Sequence, residues 1–327
     1  MNFKQLFESF SSLKVGVIGD MMLDTYWWGK VDRISPEAPV PIVSVSKREL
    51  RIGGAGNVAL NLSALGARVD VLGVIGNDDD GIQLTKMFQE KNISTYYLLE
   101  SNQRPTTNKI RIISRNQHMM RLDAEVTDPL NRNDEEDVIV AFEKYLTEIK
   151  PDIVIFEDYN KGVLTQKVIS DAITLCKKNK VLIAVDPKRK NFFCYKGVDI
   201  FKPNLQEAKD SLNIINDVIG EEDLKRIHDS LKEKLNHHIS FITLSERGVF
   251  YRNDKECNII PTHIRSIADV SGAGDTVIAV ASLVYAATHD VKLMAEVANI
   301  AGGLVCEEVG TVAINKQKLI EECDLLL

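Results

Sequence analysis

The chain has 327 residues, 44% of them hydrophobic and 27% charged, and a formal net charge of -7. That length fits one large α/β unit. The acidic balance argues against sequence-independent nucleic-acid binding, so any phosphate must be met by local sites. No apolar run approaches the roughly 20 residues needed to span a bilayer. The N-terminal MNFKQLFESFSSLK has neither a signal-peptide core nor a small-residue cleavage site, which implies a cytoplasmic protein. Five cysteines (176, 194, 257, 306 and 323) form no CxxC and no Cys/His ligand spacing. A zinc site and a disulfide framework are therefore not expected, and all five read as small buried hydrophobes.

In chain order, LKVGVIGD (13–20) reads as a short buried strand ending in turn residues. Residues 24–50 break the rhythm with Pro36, Pro39 and Pro41 and short β-type pieces such as VPIVSVS. A helix at 55–67 follows glycines, then a strand over 68–76 and a helix over 78–92. The stretch 103–124, with TTNKIRIISRNQHMMRLD, alternates like a half-exposed strand. DPLNRNDEED (128–137) is a polar loop entering a helix. PDIVIFED (151–158), VLIAVDP (181–187) and ISFITLS (239–245) read as strands, and helices are expected over about 274–288 and 292–307. Apolar strands alternating with amphipathic helices predict an α/β fold with a doubly wound, mainly parallel sheet. Residues 24–50 and 103–124 are expected to form a small β lid inserted into one domain spanning 1–327. An exposed lid is an edge that tends to be covered by a second subunit, which predicts a homodimer.

Five motifs bear on chemistry. In SGAGDT (271–276), Gly272 and Gly274 flank Ala273 and let the backbone turn sharply into a helix whose first amides point outward. Those amides suit charge developing on a transferring phosphoryl group, and Asp275 is placed to accept a proton from an attacking hydroxyl. An ordinary helix N-cap is the competing reading. RIGGAGNVALNLSALGA (51–67) offers Gly-x-Gly spacings, but they follow the Pro-rich insert rather than the first strand, so a Rossmann site fails on context. Gly53, Gly54 and Asn57 suit close approach of a polyhydroxy ligand, or a tight turn. Asp24, in GDMMLD (19–24), is expected to end the first strand region, where a carboxylate can take two sugar hydroxyls. KPNLQEA (202–208) has the form of a capping box, Asn204 with Glu207 three residues on, and could equally hold water around Mg²⁺. TLSERG (243–248) is a strand end whose turn, with Ser245 and Gly248, could meet nucleotide phosphates.

These five pieces, in this order and over essentially the whole chain, resemble the ribokinase-like (PfkB) carbohydrate kinases. The resemblance implies ATP as co-substrate and Mg²⁺ as cofactor. It implies Asp275 as base with the amides of 272–275 as anion hole, Asp24 as sugar ligand and Asn204 and Glu207 near the metal. Asn299 is implied to lie at the adenine, and Asp269 to lie at a monovalent cation such as K⁺. The family spelling has Thr where this chain has Val270 and Ser271. RISPEAPVPIV (33–43), EDYNKGVL (157–164) and VDPKRKNFFCYKGVDIFKPNLQEA (185–208) are similar to the kinase domain of heptose-7-phosphate kinases, without the nucleotidylyltransferase domain of bifunctional relatives. That implies phosphorylation of the C1 hydroxyl of D-glycero-β-D-manno-heptose 7-phosphate. The alternatives are a kinase for fructose 1-phosphate or tagatose 6-phosphate, or a catalytically silent sugar-phosphate sensor. A phosphorylated substrate needs a second anion site, for which the candidates are Arg104, Lys109, Arg111, Arg121 and Lys161, with Lys188 and Arg189. In a strand, Lys109, Arg111, Ile113 and Arg115 would share one face.

Overall fold

A computed structural model describes residues 2–115, 117–215, 220–263 and 265–327. The N-terminal half comprises α1 (Phe3–Ser9), β1 (Lys14–Gly19), β2 (Met21–Ile34), β3 (Pro41–Gly54), α2 (Ala55–Leu65), β4 (Arg68–Gly76), α3 (Asp79–Glu90), β5 (Ile93–Ser94), β6 (Leu98–Ser101), β7 (Thr107–Ser114), β8 (Gln117–Ala124) and α4 (Arg132–Ile149). The C-terminal half comprises β9 (Ile153–Glu157), α5 (Gln166–Asn179), β10 (Leu182–Asp186), β11 (Ile200–Phe201), α6 (Leu205–Leu212), α7 (Glu221–Leu235), β12 (Ile239–Thr243), β13 (Val249–Arg252), β14 (Cys257–Ile260), α8 (Ala273–Thr288), α9 (Val291–Val305) and α10 (Lys316–Leu326).

The large sheet has the order β14-β13-β12-β11-β10-β9-β1-β4-β5, with β6 also pairing on β4. Its strands are parallel from β12 through to β4 and β5, and β13 and β14 add an antiparallel edge. Helices cover both faces, which is why β9 is apolar and buried along its length up to Glu157. Val15 and Val17 of β1 pack in the core with α1, α2, α8, α9 and α10, whereas Ile18 packs in a second core with α4, α5 and α7. At Gly16 a Cβ would lie 2.7 Å from the Tyr145 ring, so glycine is what lets α4 lie against the sheet. Among the described residues, no helix is long and apolar enough to cross a membrane.

The two irregular stretches form a separate four-stranded sheet, β3-β2-β7-β8, joined to the core through Met21 and Gly54. Two sequence expectations change. Arg115 lies beyond β7 with φ +48, so it leaves the face shared by Lys109 and Arg111. Only Cys176 and Cys323 are buried; Cys194, Cys257 and Cys306 are half-buried.

Beneath the antiparallel edge, His228 Nδ1 and His237 Nε2 both meet the Ser240 hydroxyl, at 2.9 and 2.6 Å. Burial depresses both imidazoles, to about 4 and about 3. A base whose folded pKa is depressed is protonated first in the unfolded chain, so stability is full above the ordinary value near 6.5 and falls as pH drops toward the folded values. The expected result is a fall in the urea midpoint between pH 7 and pH 4.5 that is visibly smaller in His237→Gln than in the parent.

Candidate active site

Helix α8 starts after Gly272, whose φ of +79° is left-handed. A Cβ there would meet Asn57 Nδ2 at 2.7 Å and Thr311 Cγ2 at 2.9 Å. Asp275 is the third residue of the helix, and no side chain caps it. The N-cap alternative is therefore corrected: the cap position is Gly272, and the Asp275 carboxylate turns toward other elements. Its Oδ2 accepts from Asn57 Nδ2 and its Oδ1 from the Tyr159 hydroxyl, both at 2.7 Å. Burial pushes its pKa up to about 6, with the Asn57 and Tyr159 hydrogen bonds opposing the rise. It is thus mostly ionised at neutral pH yet basic enough to take a proton. Of the amides that open α8, the Ala273 N–H is already given to the Val270 carbonyl at 3.3 Å. Those of Gly274 and Asp275 lie in the first turn, where a helix has no internal acceptor. At the next residue, the Thr276 hydroxyl donates to Asn61 Oδ1 at 3.1 Å, a second stitch between α2 and α8.

Two more acids stand beside Asp275. Glu157 and Asp186 end adjacent strands in register, and a carboxylate oxygen from each lies within 4.8 Å of one from Asp275. Both Glu157 oxygens are buried without a hydrogen-bond partner. Burial raises the Glu157 carboxyl far above its ordinary range, and Asp186 and Asp275 add to the rise. Burial acts on Asp186 the same way, but Lys202 and Lys188 outweigh it and hold that carboxyl low. Lys202 Nζ is 2.7 Å from Asp186 Oδ2.

From this cluster a cavity of about 660 Å³ runs along the sheet edge, and it is walled by Gly274, Asn204, Ser245, Gly248 and Asn299. Asn204 and Glu207 do form a reciprocal capping box, at 2.8 Å each way. The second Glu207 oxygen takes Lys188 Nζ at 2.6 Å. Lys188 therefore sits on this side and not among the lid cations; Arg189 is exposed. Gly248 has φ +96, and a Cβ there would collide with the Ile260 carbonyl at 1.9 Å. Asn299 Nδ2 donates to the Pro261 carbonyl at 2.8 Å. Asp269 accepts from the Ser271 amide (3.0 Å) and from the Gly310 amide (2.9 Å), bracing the turn before α8.

The remaining sequence candidates lie on or beside the lid sheet. β1 ends at Gly19, so Asp24 belongs to lid strand β2 and not to the end of the first core strand. Asp24 is buried, pairs with Arg111, and fills the space in which a Gly53 side chain would stand, 2.4 Å from its Oδ2. Gly54 has φ +57 and closes on the Asp20 carbonyl. Arg111 and Arg51 lie against the Tyr26 ring at 5.3 and 4.8 Å. Lys109 is half-buried near Lys161, which pairs with Glu125; burial and then Lys161 lower the Lys109 ammonium. Arg121 is exposed and paired with Asp123. Arg104 is spent differently: its guanidinium is held by the Val126 and Lys161 carbonyls.

The pfkB family carbohydrate kinase pattern matches residues 12–318. The chain belongs to that family. This carbohydrate kinase is 41% identical over 307 residues to the bifunctional protein HldE of Aliarcobacter butzleri, covering 93% of this chain and 63% of that one. It is 38% identical to HldE of Sulfurimonas denitrificans (97% and 65% covered) and 36% to that of Geobacter sulfurreducens (98% and 64%). The kinase thus spans just under two thirds of the length of these curated relatives. Among solved structures, phosphofructokinase-2 of Escherichia coli in complex with potassium superposes with a TM-score of 0.79 at 16% identity, covering 95% of this chain and 99% of that one. Arabidopsis thaliana ribokinase complexed with ribose and ATP gives 0.72 at 16% (94% and 99%). Those two likenesses establish the ribokinase-like fold. The family implies ATP and a divalent metal.

Sequence reasoning missed Tyr159, Glu157, Asp186 and Lys202 in this kinase, and Asn61. The rule that ligands gather beyond the carboxyl ends of parallel strands was applied to Asp24, where β2 is not a core strand. Applied to IVIFED and LIAVDP, it points to Glu157 and Asp186. Nothing in the pattern marks Tyr159, which reaches Asp275 across 116 residues of chain.

Proposed function

We propose that this kinase transfers the γ-phosphoryl of ATP to the C1 hydroxyl of D-glycero-β-D-manno-heptose 7-phosphate, giving the 1,7-bisphosphate for ADP-heptose and lipopolysaccharide core synthesis in the cytoplasm. The observation that carries the chemistry is Asp275, fixed on both oxygens where the nucleotide cavity meets the lid. The choice of heptose is supported by 36–41% identity to bifunctional HldE proteins over nearly the whole chain. ATP occupies the cavity with its phosphates toward Gly274. As the O1–phosphorus bond forms and the bond to the ADP oxygen breaks, the O1 proton passes to Asp275. The Gly274 and Asp275 amides and the α8 dipole stabilise the negative charge on the transferring group.

The partnerless oxygens of Glu157 and Asp186 fit a hard cation. With Glu207 through water they would hold Mg²⁺, which neutralises phosphate charge. Asp269 belongs to the same reading as the acidic neighbour of a K⁺ ion. Asp24, Gly53, Gly54 and Asn57 line the sugar. Lys161, paired with Glu125, and the half-buried Lys109 near it suit the substrate's 7-phosphate, with Arg111 beside them. Leu50, Met120 and Leu122 are 37, 55 and 43% exposed on the lid sheet, and β8 is exposed along its length. We therefore extend the reading to a homodimer closed by the lids.

The test is a panel of heptose 7-phosphate, fructose 1-phosphate and tagatose 6-phosphate, with the product identified by NMR. Turnover of heptose 7-phosphate at least ~100-fold above the hexose phosphates is the expected result, a margin a site with matched polar partners can reach. Good turnover of a hexose phosphate with none of the heptose would overturn the substrate assignment.

A further inference from the structure

Tyr159 lies in the loop that leaves β9, and that loop is tied down by buried carboxylates. Asp20, buried at the end of β1, accepts the amides of Tyr159 (2.9 Å), Lys161 (3.0 Å) and Val163 (3.1 Å). Asp158, also buried, takes the Asn160 amide at 2.8 Å and the Tyr195 hydroxyl at 2.8 Å, with Asn191 at 3.4 Å. Asn160 adopts φ +55 and Gly162 φ +95, where a Cβ would fall 2.0 Å from the Asp128 carbonyl. Two buried acids thus hold five residues of loop in one conformation. The side chain they deliver is Tyr159, whose hydroxyl ends on Asp275 Oδ1 at 2.7 Å. Lys188 lies over its ring at 5.7 Å.

A carboxylate in the first turn of a helix has two soft torsions. A single hydrogen bond leaves it free to rotate about that contact; two donors from separate elements, one on each oxygen, fix its plane. Asn57 comes from α2 and Tyr159 from the β9 loop, so the two donors approach from different sides of the fold. Each oxygen keeps a second lone pair, and it is the direction of that lone pair which must meet an acceptor hydroxyl.

We propose that Tyr159 is a positioning residue for the phosphoryl-transfer base: with Asn57 it locks the Asp275 carboxylate so that a free lone pair faces the acceptor hydroxyl. This rests on Asp275 being the base, as proposed above. Tyr159 itself exchanges no proton in the reaction. Its phenol is held neutral by burial and then by the neighbouring Asp275.

The experiment is Tyr159→Phe in the full chain, assayed with ATP and heptose 7-phosphate. A fall in kcat of ~10–100-fold is expected, since an angstrom of misplacement can cost about that much, with KM for both substrates within about threefold. An unchanged kcat, or a loss confined to KM for the sugar phosphate, would overturn the proposal; the latter would make Tyr159 a substrate contact only. A second measurement needs no turnover. The phenolic proton of a buried Tyr–carboxylate pair should give a slowly exchanging downfield ¹H resonance, present in the parent, absent in Tyr159→Phe and displaced in Asp275→Asn. A resonance indifferent to Asp275→Asn would also overturn the proposal. Failure of the base reading looks different: Asp275→Asn would keep turnover while the resonance still moved.

Discussion

Asp275→Asn is expected to lower kcat by ~10²–10⁴-fold, the span that a general base contributes, while ATP affinity stays within a few-fold. The substitution keeps shape and removes the acceptor that takes the hydroxyl proton. The cavity proposed for the nucleotide is walled mainly by residues of other elements, from Asn204 to Asn299, so binding should survive. A second cost is built in. Asn57 Nδ2 and the Tyr159 hydroxyl both donate to the carboxylate, and an amide offers only one acceptor oxygen. One buried donor is left without a partner, which costs about 1–3 kcal/mol. With the Asp275 carboxyl held near 6, kcat/KM of the parent should fall on the acid side as it takes a proton below that pH. The residual rate of Asp275→Asn should lack that limb. Near-normal turnover in the variant would sink the assignment.

The sheet and lid were legible because both obey simple periods. RVDVLGVIG is the strand over 68–76 residue for residue, and the Pro-rich insert and the alternating stretch became paired lid strands. Boundaries are hidden where a turn is tight: β1 stops at Gly19 and β2 begins at Met21, so Asp24 lies inside a lid strand rather than at the end of the first strand region, and keeps its place beside the glycines. The basic candidates were harder still. Charge type alone does not distinguish Lys109, which is half-buried with a lowered ammonium, from Arg104, which braces two carbonyls. That difference depends on which loop carbonyls end nearby, and those come from residues 22 and 57 positions away in the chain. The Glu157–Asp186 pair is tertiary in the same sense, since each strand end looks ordinary until β9 and β10 lie side by side.

Lys202→Met tests that tertiary cluster directly and should destabilise the fold by about 3–5 kcal/mol, the cost of stranding a buried charge. Lys202 and Asp186 are 2 and 4% exposed, and their atoms meet at 2.7 Å. Methionine keeps most of the packing and removes only the ammonium. Asp186 is then left with Lys188, 3.7 Å away and already committed to Glu207. Glu157, within reach and without a partner, makes the site still less tolerant of negative charge. The folded pKa of Asp186 is held below its ordinary value, so the parent gains this stability above that value and loses it as pH falls through the folded one. The gap between parent and Lys202→Met in urea denaturation should therefore be wide at pH 7 and narrow as pH drops below about 4, the ordinary range of an aspartate. Adding Asp186→Asn to Lys202→Met should recover most of the loss at neutral pH, because the stranded charge goes with it. If the double variant is instead less stable than Lys202→Met by the full cost of Asp186→Asn alone, the two residues are not coupled. The ammonium would then matter for packing and not for charge.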